Sequence, residues 1–143
     1  MDKKIQNFKY TVVEAFTDCF YIIPDYQREY VWTDKEVLLL LDDIDEQVGA
    51  TSSEYFIGTV LVAPREGQRS QYDVIDGQQR LTTFFLMLCA LRNLFKGQQH
   101  EGAISNVLAN TYTNNETGDI ETRLKLEPHY ENAGELVALI EST

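Results

Sequence analysis

Apolar and polar positions fall into blocks along the chain, and the blocks predict short strands separated by helices. Thr11 and Glu14 have the spacing of a capping box, so a short helix begins there. Phe20-Tyr21-Ile22-Ile23 predicts a short strand, which Pro24 stops. The stretch 24–32 has no period and is rich in tyrosine and tryptophan, which marks an irregular loop. Thr33 and Glu36 form a second capping box. The helix behind it carries Val37, Leu40, Leu41, Ile44 and Val48 at helical spacing, with Gly49 as its stop.

The middle of the chain reads as strand, strand, helix. Residues 55–63 are nearly all apolar and predict a buried strand, and 64–70 are a polar turn. Residues 72–75 predict a second strand, ended by Asp76-Gly77, and the two strands are expected to form an antiparallel hairpin. A helix follows from Gln78 to about Lys96, where Gly97 ends it. Its apolar residues Leu81, Phe84, Phe85, Leu88, Leu91, Leu94 and Phe95 cover more than one face, as in a central buried helix. Further on, the pattern predicts a helix over 103–112, a loop over 114–119, a strand over 122–126 and a last helix over 131–140.

Composition narrows the function classes. The 143 residues fit one domain of ordinary size. The net charge is -11, from 23 acidic and 12 basic residues, so the chain lacks the clustered basic charge that drives general nucleic-acid binding. Contact with DNA therefore belongs to a local patch or to another domain. Cys19 and Cys89 each sit among apolar residues and read as free thiols of a reducing compartment. The N-terminus lacks the apolar stretch of a signal peptide, and the run 81–91 falls short of the ~20 residues that a bilayer span needs. The expectation is a cytoplasmic protein with no membrane partner.

The strongest candidate for chemistry is Asp76-Gly77-Gln78-Gln79-Arg80, a tight turn between a strand and a helix. The first turn of a helix has backbone N–H groups without partners and is locally positive, which suits an anion. Gly77 removes a Cβ that would hold a phosphate away, and Arg80 supplies a guanidinium fork suited to phosphate oxygens. Gln78 and Gln79 can donate to a phosphate or orient a water. Asp76 can hold a magnesium ion, accept a proton or orient Arg80. The same residues also fit a simpler reading, in which Asp76 caps the helix and Arg80 is solvated or paired with an acid. Residue chemistry leaves both open.

The second candidate is the loop Tyr26-Gln27-Arg28-Glu29-Tyr30-Val31-Trp32. It sets Gln27 beside Arg28, among aromatics that either stack on a base or simply pack the loop against the core. Asp42, Asp43 and Asp45 share one helix and are a weaker candidate for a metal. Acids on a helix face are more often just solvated. His100 and His129 are isolated and have no nearby cysteine, which argues against structural zinc. No Walker sequence, Gly-x-Ser-x-Gly elbow or Ser/His/Asp constellation stands out.

Taken together, Ile23-Pro24-Asp25-Tyr26-Gln27-Arg28-Glu29-Tyr30-Val31-Trp32, Leu41-Asp42-Asp43-Ile44, Phe56-Ile57-Gly58 and Ile75-Asp76-Gly77-Gln78-Gln79-Arg80-Leu81-Thr82-Thr83 closely resemble the N-terminal domain of GmrSD-type restriction proteins. Order and spacing match over about residues 10–95. That family is distantly similar to ParB and sulfiredoxin; in ParB proteins a Gln-x-Arg segment precedes a helix and a Gly-x-Arg-Arg segment follows a strand. In this sequence Gln27-Arg28 lacks the intervening residue.

The resemblance implies an α+β fold, a small mixed β-sheet packed with helices. One domain would span 1–143, with a motif-bearing core over 1–97 and a helical and strand extension over 98–143. It implies binding and hydrolysis of a nucleoside triphosphate with Mg2+. Asp76, Gln78, Gln79 and Arg80 would be catalytic, while Tyr26, Gln27, Arg28, Gly77, Thr82 and Thr83 would bind the nucleotide. Asp76 and Asp43 are the metal candidates. It also implies restriction of foreign or modified DNA in phage defence, with cleavage by a His-Asn-His type domain that nothing in this sequence matches. The chain is thus expected to be part of a longer protein that meets DNA through other domains and can form a homo-oligomer. Two alternatives stay open: a sensor of modified DNA or nucleotide without turnover, and a ParB-like nuclease that uses Asp76 with Asp42 and Asp43.

Overall fold

A computed structural model describes residues 8–17, 19–47, 58–67, 70–113 and 116–130, together with residues 133, 134 and 138. Helix α1 (Val12–Thr17) opens with the expected capping box. The Glu14 amide donates to Thr11 Oγ1 and the Thr11 amide donates to Glu14 Oε1, each at 3.1 Å. Strand β1 (Phe20–Ile23) follows, and the irregular loop after it leads to α2 (Asp34–Gln47). The hairpin of β2 (Leu61–Pro64) and β3 (Gln71–Asp76) comes next, and α3 (Gln78–Leu94) starts almost at once. Then come α4 (Glu101–Leu108), β4 (Ala109–Thr113), β5 (Ile120–Leu124) and β6 (Leu126–Pro128).

The fold is α+β, with one small mixed sheet of four strands in the order β2-β3-β1-β6. β1 lies parallel to both β3 and β6, with Tyr21 opposite Tyr72 on one side and Leu126 on the other. β2 closes the other edge antiparallel to β3. A strand paired on both sides is expected to be apolar throughout, and Tyr21, Ile22 and Ile23 are all buried. On the face toward α3, Tyr21, Ile23, Val74 and Leu126 join Phe16, Leu81, Phe85, Cys89 and Leu108 in the core. Both cysteines are free thiols.

Four expectations change. The buried strand over 55–63 is a short edge strand that starts at Leu61, itself 43% exposed; 58–60 are not strand and 55–57 lie outside the described residues. With a neighbour on one side only, β2 escapes burial, and an edge also accommodates Pro64. The helix expected over 103–112 stops at Leu108, because Ala109 turns extended and 109–113 pair with β5. The strand expected over 122–126 is two strands in two sheets, joined at Lys125. Lys125 is fully buried, its Nζ donating to the Thr17 carbonyl at 2.8 Å and lying 4.5 Å from the Phe20 ring centroid. Finally, α3 is buried only through its first turns and Cys89, since Leu94 near its end is 72% exposed. Most of the helix expected over 131–140, and Val48 and Gly49, lie outside the described residues.

Candidate functional site

Parallel strands β1 and β3 end side by side, and the segments that leave their carboxyl ends build the site. In α/β sheets this is where ligands are usually bound. One segment is the loop 24–33 after β1. The other is Gly77 and the first turn of α3.

A bulge begins the construction. Leu61 pairs with Asp76 and Val62 with Val74, so Ile75 is the extra residue on β3. The Gln27 side-chain amide donates to the Ile75 carbonyl at 3.2 Å. Gln27 thus ties the loop to the end of the strand that carries the turn.

Gly77 turns the chain into α3 with φ 89° and ψ 14°, a left-handed conformation that glycine adopts without strain. A Cβ on Gly77 would stand 2.8 Å from the Thr59 carbonyl oxygen and 3.1 Å from Val60 Cα. The space spared by the missing side chain is therefore filled by the chain's own backbone. No side chain caps the helix at this position. Asp76 is exposed and its Oδ1 accepts the Gly77 amide at 2.9 Å.

The two glutamines have different surroundings. Gln79 is a clamp: its Oε1 accepts the amides of Val31 at 2.8 Å and Trp32 at 3.3 Å, and its Nε2 donates to the Glu29 carbonyl at 2.8 Å. The whole amide is thereby used to hold the loop on the helix. Gln78, one residue earlier, is half-buried at the start of the same turn. Arg80 packs its guanidinium 5.9 Å from the Trp32 ring centroid, within cation–π range. Its stem crosses Gly58, whose φ is 133°; a Cβ there would lie 2.8 Å from Arg80 Cδ. Gly58 therefore makes room for Arg80.

Arg28 and Tyr26 are exposed on the loop. Thr82 and Thr83 stand apart, at 1% and 2% exposure on the core side of α3. The Thr83 hydroxyl donates to the Gln79 carbonyl at 2.8 Å, so the Tyr30 hydroxyl, also 2.8 Å away, is the donor of that pair. Thr83 thus supports the site from the core side, through the Gln79 backbone and Tyr30. The Tyr30 amide in turn donates to the Tyr130 hydroxyl at 3.3 Å, and burial raises the pKa of Tyr130. Tyr130 is a site-shaping residue without a local sequence signal, since it acts through a partner 100 residues away.

Among the described residues no group of three or more His, Cys, Asp or Glu is arranged to hold a metal ion. Asp42, Asp43 and Asp45 therefore do not form such a centre on α2. Asp76 by itself still fits magnesium, which commonly takes one or two carboxylates and completes its shell with waters and substrate phosphates. Among the described residues no helix is long and apolar enough to cross a membrane.

Compared with known families, residues 5–143 match the model of the GmrSD restriction endonuclease N-terminal domain. No curated protein matches the sequence.

Proposed function

The chain belongs to the family of GmrSD restriction endonuclease N-terminal domains, and on that premise we propose that it binds and hydrolyses a nucleoside triphosphate to control cleavage of foreign or modified DNA. One observation carries the reading. Gln27 and Gln79 fasten the Arg28 loop to the Arg80-bearing start of α3, which has no acid in its first turn, at the carboxyl ends of two parallel strands. Such an end attracts anions, and a guanidinium matches phosphate oxygens better than any other side chain.

In this reading Arg80 and Arg28 hold phosphates beside the backbone around Gly77. Gln78 places the water, because the Gln79 amide is committed to the loop. Water attacks the terminal phosphorus, the bond to the bridging oxygen breaks and its electron pair stays on the diphosphate, and both water protons end on the released phosphate, one of them then passing to solvent. Asp76 would hold a magnesium ion through the oxygen that the Gly77 amide leaves open, and the ion would neutralise phosphate charge. Cleavage of DNA belongs to another domain, since the net charge of -11 opposes broad DNA affinity.

Nucleotide titration and phosphate release, with wild type beside Arg80→Ala, test the proposal. Arg80→Ala is expected to weaken binding at least tenfold with little change in thermal stability. Equal affinity and equal turnover in the two proteins would refute it.

A further inference from the structure

A cavity opens beside the loop that carries Gln27 and Arg28. It has a volume of about 490 Å³ and is lined by Pro24, Asp25, Tyr26, Arg65, Asp73 and His129. That volume lies within the usual range for small-molecule sites. We propose that it is the nucleobase subsite for the nucleotide whose phosphates meet Arg28 and Arg80, an inference that rests on the nucleotide reading above.

Position is the first argument. Pro24, Asp25 and Tyr26 run directly into Gln27 and Arg28, so cavity and phosphate site share one loop. Asp73 lies three residues before Asp76 on β3, roughly 10 Å at the rise of a strand. A nucleoside triphosphate laid along β3 toward its carboxyl end spans such a distance between its base and its terminal phosphate.

Chemistry is the second. The Tyr26 ring is 70% exposed and offers a flat face for stacking, which any base accepts. Asp73 Oδ1 is buried without a hydrogen-bond donor among the described residues. Arg65 Nε lies 3.0 Å from that oxygen, so its charge is balanced, but the alignment falls short of a hydrogen bond. A buried acceptor of this kind calls for an N–H donor. Asp25 and Asp73 offset Arg65 and His129 in the lining, so the cavity is not a cationic site for a phosphate. It suits instead a neutral, flat group carrying N–H donors, which describes the pairing edge of a nucleobase.

The test compares GTP, ATP, inorganic tripolyphosphate and a single-stranded oligonucleotide, each titrated into wild type, Tyr26→Ala, Asp73→Ala and Arg80→Ala. Tyr26→Ala and Asp73→Ala are expected to weaken binding of at least one nucleotide tenfold or more and to leave tripolyphosphate unchanged. Arg80→Ala is expected to weaken both. Tyr26→Ala removes an exposed ring, so its folding is secure even if Asp73→Ala unfolds. Nucleotide affinity unchanged in Tyr26→Ala, or an equal loss of tripolyphosphate, overturns the base subsite and leaves the phosphate site standing. A loss confined to the oligonucleotide assigns the cavity to a nucleic-acid base and overturns it too. Wild type that binds neither nucleotide nor tripolyphosphate removes both readings together.

Discussion

Helices α2 and α3 begin in opposite ways. At α2 the Thr33 amide and hydroxyl both donate to Glu36 Oε2, at 2.7 and 2.6 Å, and Asp34 and Glu36 place negative charge in the first turn. Acids of its own first turn thus offset the positive end of the helix. At α3 the chain arrives through left-handed Gly77, whose amide donates to Asp76 Oδ1 just outside the helix, and the first turn holds no acid of its own but carries Arg80. A helix that closes its own end is finished as a structural element. One that carries no acid in its first turn, and places a cation there, leaves the positive charge of that end less offset by its own residues. The comparison explains why similar sequence positions yield a strut in one place and a candidate site in the other.

The largest effect is expected where α3 depends on a residue without a side chain. Gly77→Ala forces a left-handed alanine, a cost of about 1–3 kcal/mol, and drives its Cβ to 2.8 Å from the Thr59 carbonyl. Denaturant unfolding should show a marked fall in midpoint at unchanged slope. A near-neutral result would mean that the turn relaxes freely and is no fixed platform.

Next in size is the contrast between the glutamines. Gln79→Ala frees the Val31 and Trp32 amides and the Glu29 carbonyl from their partner, at about 1–3 kcal/mol if those groups stay dry. Amide exchange in residues 29–32 should then speed up. Gln78→Ala should leave stability and exchange unchanged and lower phosphate release. If the two variants exchange these phenotypes, the assignment of clamp and water-placing residue is wrong.

What could be read from the chain in advance follows the distance between partners. Both capping boxes join residues three apart, so spacing alone exposed them, as did the hairpin of β2 and β3 and the turn into α3. Gln79 looked like Gln78 because its partners lie 47 to 50 residues away. Thr82 and Thr83 carry the polarity of surface residues, yet the helix rotates both into the core. The alternation over 122–126 is real, but Lys125 breaks it by reaching the Thr17 carbonyl, 108 residues away, and the chain changes sheets there. Asp73 and Arg65 gave no signal, since a cavity is made by four separate segments converging.

A smaller effect is expected at Gly58. Gly58→Ala would press on Arg80 Cδ, Nε and Cζ at 2.8, 3.0 and 3.2 Å. These are the reaches of a flexible side chain, so Arg80 can move aside, although the φ of 133° adds strain of its own. Nucleotide affinity should fall several-fold while α2 is unaffected. Unchanged affinity would show that the place of Arg80 over Gly58 is incidental to binding.

The smallest effect tests the closed end. Hydrogen bonds from Thr33 hold the Glu36 pKa below its usual 4.5, and those from Thr11 do the same for Glu14. A carboxylate with a lowered folded-state pKa stabilises the fold above its ordinary value, and that contribution disappears as pH falls through the folded value. Glu36→Gln should therefore lower the midpoint slightly at neutral pH, and the gap to wild type should close as pH drops below 4.5. Glu14 is exposed and Glu36 only half-buried, so the effect will be small and is best read as a change in the slope of midpoint against pH. α3 has no acid in its first turn, so Gln78→Ala should track wild type across the same range. If Gln78→Ala instead reproduces the pH slope of Glu36→Gln, the two helix ends are not the opposites that their geometry makes them.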